Sequence, residues 1–122
     1  MGRRSGAASG VLKDTWEHNG LLWTQRADTG PDPRIAYGMV YNETNALLFG
    51  GSNFSLKFND SWIWHGKHWT QRQDIGPSKR ASHGVAYDRA RKRTVLFGGN
   101  DASGQDLGDT WEAFERPPLK DG

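Results

Sequence analysis

The sequence predicts an all-β protein built from repeated four-stranded antiparallel sheets, and three observations carry that prediction. The chain is self-similar: Trp16 returns as Trp62, Trp23 as Trp69, Arg34 as Arg80, Gly38 as Gly84 and Tyr41 as Tyr87, each 46 residues later. Gly50-Gly51 then returns as Gly98-Gly99 after 48 residues, and Asp60-Ser61-Trp62 as Asp109-Thr110-Trp111 after 49, so the extra residues fall in loops. Finally, no stretch combines helical periodicity with caps, whereas short apolar or alternating runs are cut throughout by Gly, Asn, Asp and Pro.

Within one period, four runs read as strands. Arg34 to Tyr41 carries small residues at alternate places, Ala36 and Gly38, matched by Ser82, Gly84 and Ala86, as a strand with crowded neighbours on one face requires. Ala46 to Phe49, or Thr94 to Phe97, is a continuous apolar run ended by a double glycine, the pattern of a strand buried on both faces. Ser61 to Trp64 sets Trp62 and Trp64 on one face, and Gly66 makes a tight turn into Lys67 to Gln71, centred on Trp69. Such a unit at this spacing describes a propeller blade, whose face-to-face stacking explains the double burial. A solenoid would need a shorter period, and a sandwich would not repeat its residues in register. The expected organisation is a disordered leader over 1–12, strands 3 and 4 of a blade over 13–26, a full blade over 33–72, strands 1 to 3 of another over 79–112, and a tail over 113–122.

Composition narrows the function classes. The 122 residues include 16 Lys plus Arg against 14 Asp plus Glu, a net charge of +2 spread along the chain, which does not point to nucleic acid. A hydrophobic share of 34% with 13% of residues glycine would be thin for a core, but 6 tryptophans supply the bulk. With no cysteine, a disulfide framework, thiolate metal sites and a cysteine nucleophile are excluded. Met1 to Gly10 lacks the apolar core of a signal peptide, and no run approaches the roughly 20 apolar residues of a membrane span. A soluble chain with no membrane partner is expected, its compartment open.

The strings DTWEHNGLLWTQ, PRIAYGMVY, ALLFGG, NDSWIWHGKHWTQ, KRASHGVAY and TVLFGG resemble kelch repeats of the bacterial kind, in the galactose-oxidase-like propeller superfamily, over about Lys13 to Glu112. Lys79 stands where the family usually has proline, His18 where the middle copy has Trp64, and no second tryptophan follows Trp111. The resemblance implies a ring of about four to eight blades, of which this chain holds about two and a quarter. Two sheets alone would leave Trp, Tyr and Phe in water, at roughly 1.5–3 kcal/mol for each large side chain. The chain is therefore expected either as a piece of a longer propeller or as one protomer of a homo-oligomer, a trimer ahead of a tetramer. Within such a ring, Asp109 to Glu112 and Asp14 to Glu17 would compete for one third-strand place. Galactose oxidase uses copper with tyrosine, histidine and a cysteine-tyrosine crosslink; without cysteine that activity does not carry over, and likeness to sialic-acid epimerase propellers is confined to the blade framework.

Each candidate site has a structural reading beside the functional one. Trp16, Trp23, Trp62, Trp69 and Trp111 could stack on sugars, but their repetition assigns them to blade packing. Gly50, Gly51, Gly98 and Gly99 precede no helix, so they serve strand ends and not a phosphate. Arg34 and Arg80, opening the first strand, could bind an acidic ligand, or pair with Glu17, Asp60 or Asp109 and tie adjacent blades. Asp14, Asp60 and Asp109 fit turn capping. His65 and His68 lack a third metal ligand, His83 reads as structural, the acidic loop Asn100 to Asp106 does not have calcium-loop spacing, and Arg89, Arg91, Lys92 and Arg93 read as a solvated turn. No metal or cofactor is expected.

What remains is the rim formed by the loops that follow the second and fourth strands, where Asn53, Phe54, Leu56 and Phe58 are not demanded by the repeat. The leading expectation is a non-catalytic binding or scaffold module for a protein or glycan, using Asn53, Phe54 and Phe58. A carbohydrate-active enzyme subunit with Arg34 and Arg80 in a central channel is the alternative, and a structural piece of a larger propeller with no ligand is the third reading.

Overall fold

The structure is a computed structural model and describes residues 11–27, 29–72 and 76–113; most of the expected leader and tail, and parts of the loops after the fourth strands, lie outside them. Among the described residues there are nine strands and no helix: β1 (Thr15–His18), β2 (Trp23–Ala27), β3 (Gly38–Tyr41), β4 (Ala46–Phe49), β5 (Ser61–Trp64), β6 (Trp69–Arg72), β7 (Gly84–Asp88), β8 (Arg93–Phe97) and β9 (Thr110–Ala113). They form three antiparallel sheets, β1-β2, β3-β4-β5-β6 and β7-β8-β9, in chain order. The arrangement is propeller-like: among the described residues, one four-stranded blade stands between a two-stranded and a three-stranded one.

The repeat is reproduced in register as well as in order. Trp16 lies opposite Gln25 and His18 opposite Trp23, as Trp62 lies opposite Gln71 and Trp64 opposite Trp69. Likewise Leu48 and Phe49 face Trp62 and Ser61, as Leu96 and Phe97 face Trp111 and Thr110. The first strands are shorter than the expected Arg34 to Tyr41. Ala36 (φ 56°) and Ser82 (φ 60°) adopt left-handed backbone, which breaks the pleat and leaves only the isolated Ile35–Ser52 and Ala81–Asn100 bridges ahead of β3 and β7. This kink has a use, because it points the Ala36 carbonyl at the next sheet, where it accepts from the Ser82 amide at 2.8 Å.

Side chains alternate across each strand, so every sheet has a forward face, toward the following sheet, and a backward face. The forward face of β3-β4 closes on the backward face of β7. A Cβ on Gly38 would stand 2.3 Å from Val85 Cγ2, so only glycine lets the sheets approach this closely. Phe49 meets the His83 ring edge-on at 5.5 Å, and its carbonyl is 2.9 Å from His83 Nε2. At the other joint, Thr15 and Glu17 accept from the indole N–H groups of Trp69 and Trp64, at 2.9 and 2.8 Å.

Burial follows from which faces have a neighbour. Leu48, Phe49, Ile63, Trp64, Ala81 and Leu96 are buried between sheets. Phe97, the counterpart of Phe49 on the last sheet, is 55% exposed against 6%. Tyr37, the counterpart of His83, is 44% exposed against 8%, because among the described residues the first sheet has two strands and neither covers it. Trp16 and Trp23 are exposed because no described sheet stands behind the first one, and Trp111 remains 40% exposed although it shares its face with buried Leu96.

The two glycines at one repeat position separate packing from propensity. Gly38→Ala should destabilise the fold by about 1–3 kcal/mol in urea unfolding through overpacking against Val85. Gly84→Ala, where within one chain the nearest atom to a Cβ is the Phe97 carbonyl oxygen at 3.9 Å, should cost less than about 0.5 kcal/mol when both variants are compared as dilute monomers. Equal losses would contradict the assigned joint.

Candidate interaction rim

At the head of each blade sits the same polar bracket. Arg34, buried, forks onto both Asp60 carboxylate oxygens at 2.6 and 3.0 Å, donates to the Gly50 carbonyl, and stacks its guanidinium 4.1 Å over the Phe58 ring. Asp60 also accepts from Trp62 Nε1 at 2.7 Å. Arg80, with no exposed surface, repeats this with both oxygens of Asp109 and the Gly98 carbonyl, and Trp111 Nε1 donates to Asp109. Charge-assisted forks of this kind fix geometry as well as energy. Both arginines are thus spent within the sheet. The expectation that they tie adjacent blades is corrected: each joins the lead-in of strand 1 to strand 3 of one blade, and the aspartates serve as indole and guanidinium acceptors and not as turn caps. Glu17 pairs with Arg26 instead.

The electrostatics follow from these contacts. Burial raises the Asp60 carboxyl, but the hydrogen bonds from Arg34 and Trp62 outweigh it and hold the group below its ordinary value. The Arg80 and Trp111 hydrogen bonds hold Asp109 well below the usual carboxylate range. Burial lowers the His83 pKa and Arg80 adds to the effect, against the hydrogen bond to Phe49. Among the described residues His83 Nδ1 is buried without a hydrogen-bond partner.

The loops after strand 2 of the second and third sheets lie side by side on one rim, as expected. Lys57 Nζ bridges them, donating to Asn100 Oδ1 at 2.6 Å and the Asp101 carbonyl at 2.7 Å, and the Arg80 amide donates to the Phe58 carbonyl. Asn53 Oδ1 accepts from the Ser55 and Leu56 amides, which makes it the scaffold of its own loop tip. Phe54 rides on that tip at φ 79°, 71% exposed, with Leu56 exposed beside it. Left-handed backbone at a phenylalanine is costly and is held here by Asn53 and by Ser52 Oγ accepting from the Phe54 amide. Phe58 is turned inward beneath Arg34. The sequence expectation therefore divides: Phe54 and Leu56 are exposed on the loop tip, whereas Phe58 belongs to the framework.

The remaining candidates are absorbed locally. His65 and His68 are exposed at the hairpin turn with ring centroids 5.4 Å apart. Arg91 bridges Asp88 and Glu112, and Arg89 reaches Glu43. Asp101 accepts from the amides of Ser103 and Gln105 within its own loop. Among the described residues no group of three or more metal-capable side chains converges, and no helix is long and apolar enough to cross a membrane.

No protein-family model and no curated protein matches the chain. Solved structures do, in 86 chains. One, "Structure of YjhT", superposes with a TM-score of 0.68 at 16% identity, over 86% of this chain and 36% of that one. The likeness shows the fold, and this chain spans little more than a third of that neighbour.

The His83 environment sets a pH response. Its pKa is depressed in the folded state below the ordinary value of about 6.5, so the unfolded chain takes up a proton first as pH falls. The stabilisation is complete above about pH 7 and is lost as pH drops through 6.5 toward the folded value. Melting temperature measured from pH 8 to 5 should decline, and His83→Leu should flatten that decline. An unchanged slope in the variant would assign the response elsewhere.

Proposed function

We propose that this chain is a run of kelch-type blades, of the galactose-oxidase-like kind, that acts as a non-catalytic binding module and takes a protein partner on its rim through Phe54 and Leu56. One observation carries the reading: an exposed aromatic and an exposed aliphatic side chain are held on a loop whose strained backbone is fixed by Asn53 and Ser52. Pre-organised apolar side chains on a loop are what an interface anchor needs, since little entropy is lost on binding. The enzymatic alternative is weakened because both arginines it would use for an acidic sugar are forked onto aspartates.

A displayed peptide library panned on the chain should yield binders that weaken at least tenfold on Phe54→Ser or Leu56→Ser while melting temperature stays unchanged. Binders indifferent to both substitutions, or glycan-array binding retained by both variants in place of peptide binding, would contradict the assignment.

A further inference from the structure

Three features at the two open ends of the molecule belong together. At the N-terminal end, the backward face of β3 is bare: Tyr37, Met39 and Tyr41 are exposed, where their repeat counterparts His83, Val85 and Tyr87 are wholly or partly covered by the preceding sheet. At the C-terminal end, the forward face of β7-β8 is bare, with Gly84 and Phe97 standing where Gly38 and Phe49 make that same joint. Among the described residues both halves of one joint are therefore unused. Between them lies the third feature. Asp14 accepts from Trp16 Nε1 at 2.9 Å just as Asp60 does from Trp62, yet among the described residues no arginine reaches Asp14. It lines an open cleft with Thr15, Tyr37, Met39 and Leu48, the space where strands 1 and 2 of the first blade would lie.

Residues 14–17 and 109–112 are the same tetrapeptide, Asp-Thr-Trp-Glu. β1 can therefore replace β9 against β8 residue for residue, keeping the register in which Leu96 faces the tryptophan and Phe97 the threonine. The exchange keeps the pairing of the third strand, gives up the Arg91–Glu112 ion pair, and adds β2 as a fourth strand, which among the described residues β9 does not have beside it. β9 is the strand to give way, being an edge with all four residues exposed.

We infer that a second copy of this chain completes the first blade: its β7-β8 hairpin pairs with β1-β2, β1 displaces the copy's β9, and Arg80 of the copy moves from its own Asp109 to Asp14. The new joint reproduces the internal one, with Phe97 of the copy edge-on to Tyr37 and Gly84 under Met39. Each chain then supplies two whole blades, one its own and one shared. Head-to-tail contacts of this kind extend until the rotation closes. Three copies close at six blades, within the range of about four to eight. This inference does not depend on the rim's ligand.

Light scattering should give a mass three times the chain's 13.6 kDa at micromolar concentration. Asp14→Arg, which opposes two guanidinium groups at the swapped bracket while leaving Arg80–Asp109 intact within the chain, should give a folded monomer. Asp109→Ala, which weakens only the strand to be displaced, should keep the trimer. A readout independent of those charges is crosslinking: in a chain without cysteine, Met39→Cys with Gly84→Cys, the counterparts of the closely approaching Val85 and Gly38, should form disulfides between copies on oxidation, and neither single substitution should. A monomer at every concentration, an Asp14→Arg trimer, or a double-cysteine chain that links no copies overturns the inference.

Discussion

Where β3 meets β7, Gly38 lies under Val85, Phe49 stands edge-on to His83, and the kinked carbonyl of Ala36 receives the Ser82 amide. This face-to-face joint is the contact on which the rest of the molecule depends. A four-stranded sheet with apolar side chains on both faces has no stable solution in water alone, because one face always remains to be covered. Gly38 and Gly50 serve the closeness of that approach, a Cβ on Gly50 standing 2.8 Å from the Arg80 carbonyl oxygen and the His83 ring. The indole bonds from Trp64 and Trp69 to the first sheet perform the same task at the outer strands.

The Arg–Asp–Trp bracket plays a different part. It acts within one sheet, binding the irregular lead-in of strand 1 to strand 3 and satisfying the carbonyl at the end of strand 2. Because the bracket fixes where the lead-in runs, it also fixes where the kink at Ala36 or Ser82 projects, and so aligns one sheet with the next. It leaves the rim loops free to vary. The loop after β4 uses that freedom to present Phe54 and Leu56, while Phe58, two residues on, is taken back under Arg34.

Much of this was legible in the sequence. The nine strands and their grouping follow from a period that places Trp, Gly-Gly and Asp at matching positions, since side chains that repeat in register must meet the same neighbours. The left-handed backbone at Ala36 and Ser82 was not legible, because neither residue type signals it and the neighbouring sheet enforces it. The span of the arginine pairs was misjudged for a related reason: spacing shows that Arg34 and Asp60 recur together, but not whether the fork closes inside a blade or across two. Phe54 and Phe58 look alike in sequence and differ only in which has a guanidinium above it.

In a ring of copies the two Asp-Thr-Trp-Glu segments, equal in sequence, become unequal in structure. Hydrogen exchange followed by mass spectrometry over residues 15–18 and 110–113 tests this most directly. Slow exchange in β1 with fast exchange in β9, reversing on dilution, is the predicted result. Protection of β9 with unprotected β1 at every concentration would contradict it.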